Sequence, residues 1–150
     1  MMPDALHPDG LVLVAMRLGT AAALGGLIGI ERQLAHKAAG LRTHMTVSLA
    51  SAVFVMIAIQ SGAQIADVSR VLQGIAAGVG FLGAGTILKG TSEQTIQGLT
   101  TAATIWLTAA IGAAAGAGHS VVAAMSVAVA WVILLIFKLF EKMLAPRRDS

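Results

Sequence analysis

Five stretches of the chain are almost free of charge and close in length to the ~20 residues that cross a ~30 Å hydrocarbon core. They are residues 11–30, 45–60, 71–88, 99–116 and 121–140, and Arg17 is the one basic residue well inside the first. In lipid a backbone has no water to bond, so only helices and closed barrels can span it. A barrel strand alternates apolar and polar residues, and these runs are continuous. The expected fold is therefore all-α: one transmembrane domain over residues 1–150, a polytopic bundle of five transmembrane helices. Composition agrees. Hydrophobic residues make up 57% of the chain and charged residues 11%, against roughly 25% charged in soluble proteins.

The charges fall at the ends of the runs. In a five-span arrangement Arg32, Lys37, Arg42, Lys89, Lys138, Lys142, Arg147 and Arg148 share one side, and the opposite connections carry only Arg70. The positive-inside rule places the basic side in the cytoplasm, with the N-terminus outside and the C-terminus inside. Asp4, His7 and Asp9 precede the first run and no Lys or Arg occurs before Arg17. A signal peptide needs a basic n-region, so this run is read as a retained span. The net charge of +3 arises from these juxtamembrane flanks, so a bilayer rather than nucleic acid is the expected partner. With no cysteine, disulfides, thiolate metal sites and a Cys nucleophile are excluded.

Small residues mark where helices meet. Gly25-x-x-x-Gly29, Gly74-x-x-x-Gly78 and Gly112-x-x-x-Gly116 each put two glycines on one helix face, which lets backbones approach closely in lipid. These faces predict contacts within one chain or between copies, and a homo-oligomer is expected. The chain also repeats itself. Gly26-Leu-Ile-Gly29 matches Gly80-Phe-Leu-Gly83. Gly40, Leu41, Thr43, Thr46, Leu49 and Ala52 recur as Gly98, Leu99, Thr101, Thr104, Leu107 and Ala110. Spans one–two and three–four would then be parallel copies about a pseudo-two-fold axis along the membrane normal, with Thr43 and Thr101 at one depth.

Few polar groups lie at membrane depth. Arg17 sits about six residues, or ~9 Å, inside the first span; it either pairs with Asp67 in the second-to-third connection or snorkels to the headgroups. Asp67-Val-Ser-Arg70 reads as a cap for the third helix. Glu31 and Arg32 end the first helix, with Arg32 and Arg42 both near enough to Glu31 for an ion pair. Arg42, Thr43 and a helix N-terminus could hold a phosphate or lipid headgroup, or simply anchor the helix. Thr100 replaces Arg42 in the second copy, so the basic copy is the expected anion or carboxylate contact. Thr100, Thr101, Thr104 and Thr108 either line a polar path or bond their own backbone. His36 and His44 have no metal-ligand spacing. No metal site, cofactor site or catalytic constellation is read from the sequence, so no enzymatic activity is expected.

Three blocks carry a family resemblance. The first is Gly26-Leu-Ile-Gly-Ile-Glu31-Arg32 with Ala39-Gly-Leu-Arg-Thr-His44. The second is Asp67-x-Ser-Arg70 with Gly78-Val-Gly-Phe-Leu-Gly-Ala-Gly85. The third is Gly98-Leu-Thr-Thr-Ala-Ala-Thr104 with Trp106. In order and spacing the chain resembles the MgtC/SapB family of bacterial membrane proteins over roughly residues 17–137. The resemblance implies an inner-membrane protein linked to magnesium limitation, membrane energetics and, in pathogens, survival inside host cells. It implies a non-enzymatic modulator of ion homeostasis acting through a partner membrane protein, with a Mg²⁺ transporter or channel as the alternative. Relatives often continue into a cytoplasmic ACT-like domain, whereas this sequence stops at Arg148-Asp149-Ser150, so the resemblance is to a short form. Relatives usually carry Arg where this chain has Gln97, and the connection 89–97 is slightly long.

Overall fold

The computed structural model describes residues 8–89 and 96–144, with side chains described over 10–87 and 97–136. Asp4, His7, Arg147 and Arg148 lie outside the described residues. Lys138 and Lys142 lie on the last helix where side chains are not described. The elements are α1 (Pro8–Leu34), α2 (Leu41–Gln60), α3 (Ile65–Ala84), a short ladder of β1 (Leu88–Lys89) and β2 (Ile96–Gln97), α4 (Leu99–Gly116) and α5 (Ser120–Leu144). Four helices, α1 to α4, are long and apolar enough to cross a membrane. At 25 residues α5 has the length to do the same, about 37 Å at 1.5 Å per residue. The chain is an all-α polytopic bundle.

Local chemistry sets the helix ends. Gly62, Gly98 and Gly118 take positive φ at 76°, 93° and 89° where the chain turns between helices. At Gly98 a side chain is excluded twice over, since a Cβ would also run into the Thr86 carbonyl. The fourth helix matches its expected bounds. The third does not: α3 starts at Ile65, six residues before the apolar run expected at 71–88, and ends at Ala84. Asp67 and Arg70 broke the hydropathy pattern, yet both belong to the first two turns. The Gln64 N–H donates to Asp67 Oδ2 at 3.2 Å, so Gln64, rather than Asp67 or Ser69, holds the cap position.

Contacts fix the directions. His44 on α2 lies against Thr104 on α4, Ser48 against Gly112, and Ala52 against Gly116, so α2 and α4 run parallel. On α1, Gly29 meets Leu41 while Gly25 meets Ser48, so α1 runs antiparallel to α2. The first turns of α2 and α4, with Thr43 and Thr101, therefore stand at the same end of the bundle. The repeat is legible in the contacts as well. A Cβ on Gly29 would reach His44 Cβ at 3.1 Å, and one on Gly83, its counterpart, would reach Ala102 Cβ at 3.4 Å. Ala102 is the counterpart of His44.

Helices α1, α2 and α4 make the tight centre. A methyl on Gly25 would come within 2.7 Å of the His44 carbonyl, one on Gly116 within 2.5 Å of the Ala52 carbonyl, and one on Gly112 would overlap the Ser48 carbonyl. Such approach replaces the missing hydrophobic drive with dispersion between backbones. Around this centre, Ala21, Ile28, Ala52, Ile111, Ala115 and Ala123 form one buried cluster. Helix α5 closes one side, where Trp131 Nε1 donates to the Leu27 carbonyl at 3.2 Å. Helix α3 is peripheral; only Val79 and Gly83 of it are buried. Two of the three glycine faces are thus packed within the chain. The third makes no contact within the chain: Gly74 and Gly78 have nothing within 4 Å of an added Cβ. They border an apolar groove of about 560 Å³ between α2 and α3.

Candidate functional site

Polar residues converge where the end of α1 meets the first turns of α2 and α4. Glu31 and Arg32 lie near the end of α1 and are buried, at 6% and 4% exposure, and of the two partners considered for Glu31 it is the Arg32 guanidinium that pairs with its carboxylate. Neighbours in sequence diverge by about 100° on a helix and do not normally face each other. Here both are buried, and pairing is the alternative to leaving two charges uncompensated. Arg42, the other partner considered for Glu31, is exposed.

His44 occupies the middle of the junction and is fully buried. Its Nδ1 lies 2.9 Å from the Gly40 carbonyl. A carbonyl can only accept, so Nδ1 carries the proton and Nε2 is left facing α4. There Nε2 lies 3.4 Å from Thr104 Oγ1. The Thr104 hydroxyl also lies 2.9 Å from the Thr101 carbonyl, and Thr108 donates to the Thr104 carbonyl at 2.8 Å. The one Thr104 proton goes either to the Thr101 carbonyl or to His44 Nε2, so Thr104 either bonds its own helix or ties α4 to α2. Glu31 and Arg32 both lie within electrostatic reach of His44. Deeper in the bundle Ser48 donates to the Ala21 carbonyl at 2.7 Å, tying α2 to α1. These contacts bring polar groups of three helices together in one buried region.

The other expected residues stand apart from it. Arg17 does not meet Asp67. Its guanidinium donates to the Gly116 carbonyl at 3.0 Å, so it caps α4 at the opposite end, where a helix leaves carbonyls free and favours a cation. Asp67 pairs with Arg70 at 2.5 Å, both well exposed, an arrangement that contributes little stability. Thr43 and Thr100 are exposed, whereas Thr101 is buried. The first N–H of α2 is taken by Gln33 Oε1 at 3.2 Å, a cap the sequence reading missed.

Also missed was the importance of His44 and Ser48. The signal was present. His44, Ser48 and Ser51 recur at helical spacing on α2, as Thr101, Thr104 and Thr108 do on α4, and all six are buried. Two polar stripes inside apolar helices can face each other at lower cost than they can face lipid.

Residues 18–143 match the MgtC family. The chain belongs to the MgtC family. Every residue of the polar junction lies within the matched region, and Arg17 falls one position before it. Among curated relatives, the chain is 48% identical over 116 residues to Protein SrpB of Synechococcus elongatus, covering 70% of this chain and 64% of the relative. It is 46% identical over 110 residues to the Putative magnesium transporter YhiD of Escherichia coli K12, covering 69% and 50%. It is 45% identical over 117 residues to Protein MgtC of Brucella abortus, covering 75% and 48%. The alignments thus take in about half to under two-thirds of these relatives' lengths. No solved structure matches the chain.

Proposed function

We propose that this MgtC-family chain is a non-enzymatic modulator of magnesium handling, acting on another membrane protein from within the bacterial inner membrane. The magnesium assignment rests on the family and on the printed name of the Escherichia coli relative. One observation carries the choice of modulator over transporter. The seam between α2 and α4 is closed at backbone distance by Gly112 and Gly116, directly beyond a junction whose carboxylate, Glu31, is already neutralised by Arg32. Mg²⁺ binds hard oxygen ligands and gives up its water reluctantly. A neutralised carboxylate followed by a seam too tight for a methyl group is a poor route for it. The same features make a rigid platform, with the three helices locked at one end and the peripheral surfaces of α3 and α5 facing the bilayer.

The orientation belongs to the same reading. Five spans put the end bearing Lys37 and Arg42 in the cytoplasm and the N-terminus outside. Arg42 and Lys37, both exposed, then meet anionic headgroups or a partner's carboxylate. A cytoplasmic reporter joined after Ser150 is active in this arrangement and a periplasmic one silent.

Flux decides the function. Liposomes reconstituted with pure protein show no Mg²⁺ uptake above empty liposomes if the chain is a modulator. Saturable uptake that scales with protein content makes it a transporter.

A further inference from the structure

The groove between α2 and α3 is long, narrow and apolar. Thr46, Ala50 and Phe54 of α2 wall one side, and on α3 Gly74 and Gly78 line it without filling it. Its α3 wall runs from Val71 to Leu82, ~16 Å at 1.5 Å per residue. That is about half of a ~30 Å hydrocarbon core, the depth of one leaflet. Spread over this length, a volume of about 560 Å³ gives a cross-section of ~34 Å². A helix with its side chains is 10–12 Å across, at least ~80 Å² in section, and is too thick to seat there. An unbranched hydrocarbon chain is thin enough.

Charge marks one mouth. Arg42, Thr46, Ala50 and Phe54 recur every four residues, so they share one face of α2. Thr46 Oγ1 donates to the Arg42 carbonyl at 2.8 Å, which puts Arg42 one turn beyond the groove. Helical side chains lean toward the N-terminus, so its guanidinium is carried away from the apolar wall. Arg42 is exposed, and among the described residues it pairs with no carboxylate. Gly83 on α3 meets Ala102 in the first turn of α4, so α3 ends where α2 and α4 begin. Val71 therefore marks the opposite mouth, where Arg70 is neutralised by Asp67.

We infer that the groove holds one acyl chain of an anionic phospholipid, with the phosphate of its headgroup on Arg42. A phosphate takes a charge-assisted bond from a guanidinium. A zwitterionic headgroup offers the same phosphate but brings its own cation toward Arg42, so a net negative headgroup is preferred. The inference deepens the headgroup contact proposed above for Arg42. It stands apart from the modulator reading, since lipid retention and Mg²⁺ flux are separate measurements.

Native mass spectrometry of the full-length protein tests it, with dioleoyl phosphatidylglycerol, dioleoyl phosphatidylcholine or glycerol phosphate added at equal concentration. The unaltered protein retains phosphatidylglycerol several-fold more tightly than phosphatidylcholine and does not retain glycerol phosphate. Arg42→Gln weakens phosphatidylglycerol about fivefold, the worth of one basic residue near an anionic surface, and abolishes its preference. Gly78→Leu fills the groove and weakens both lipids. Gly80→Leu, equally free of neighbours but outside the groove lining, weakens neither. Circular dichroism checks that each variant keeps its helical content. Arg42→Gln, at an exposed position, carries the test even if Gly78→Leu fails to fold. Equal retention of the two lipids, phosphatidylglycerol binding unchanged by Arg42→Gln or by a folded Gly78→Leu, or glycerol phosphate binding as well as the lipid would each overturn the inference. So would a copurifying polypeptide that Gly78→Leu displaces in place of lipid.

Discussion

Neutralising Glu31 tests the polar junction most severely. Glu31→Gln keeps the shape of the side chain and removes the charge facing Arg32, which is 4% exposed. Breaking a buried ion pair by removing one partner costs about 3–5 kcal/mol, because the remaining charge is stranded. At roughly 2–4 °C per kcal/mol for a chain of this size, the melting temperature falls by about 6–20 °C. Replacing both partners removes the stranded charge, and such double substitutions are often neutral or better. Glu31→Gln with Arg32→Met should therefore be more stable than Glu31→Gln alone. The assay is thermal unfolding in detergent micelles, followed by the fluorescence of Trp106 and Trp131, the latter bridging α5 to α1. If Glu31→Gln costs under about 1 kcal/mol, the range of exposed pairs, and the double change is merely additive, the pair is solvated and the reading of the junction is wrong.

Two further substitutions probe the packing. Gly112→Ala drives a methyl into the Ser48 carbonyl; overpacking of about 1–3 kcal/mol outweighs the ~1 kcal/mol gained in helix propensity, whereas Gly74→Ala meets open space and is neutral or stabilising by the same melts. Arg17→Met removes the cation and hydrogen bond at the Gly116 carbonyl and lowers stability by about 1–2 kcal/mol, with Asp67→Asn, a surface change, costing less than half as much.

Much of this was legible in the sequence, and the remainder has identifiable physical causes. Span lengths and glycine spacing yielded five helices, and residues 99–116 proved to be the fourth helix to the residue. Helix α3 began earlier than expected because hydropathy penalises Asp67 and Arg70, while a helix start uses such groups for capping and pairing. For Arg17 the sequence offers Asp67 or the lipid headgroups, because sequence displays charges. Its actual partner is a backbone carbonyl, which every residue carries and no sequence marks. For Glu31 the sequence offered both Arg32 and Arg42 as partners; their burial, which separates buried Arg32 from exposed Arg42, is set by tertiary packing that sequence spacing does not display. Gly74 and Gly78 have the same spacing as Gly25 and Gly29 and no neighbour in the chain, so the motif alone does not reveal which glycines pack.

The central claim is that the polar groups of α2 and α4 form a sealed structural junction rather than a water-filled path. Thr108→Cys places a thiol of nearly the same size at a fully buried position in a chain that has no other. The measurement is its reaction rate with a charged, membrane-impermeant thiol reagent applied to both faces of oriented membranes, beside Ala38→Cys at an exposed connection. The account predicts that Ala38→Cys reacts readily and Thr108→Cys reacts only after denaturation. Labelling of Thr108→Cys in the folded protein at a rate comparable to Ala38→Cys would mean that water reaches the seam, and would contradict it.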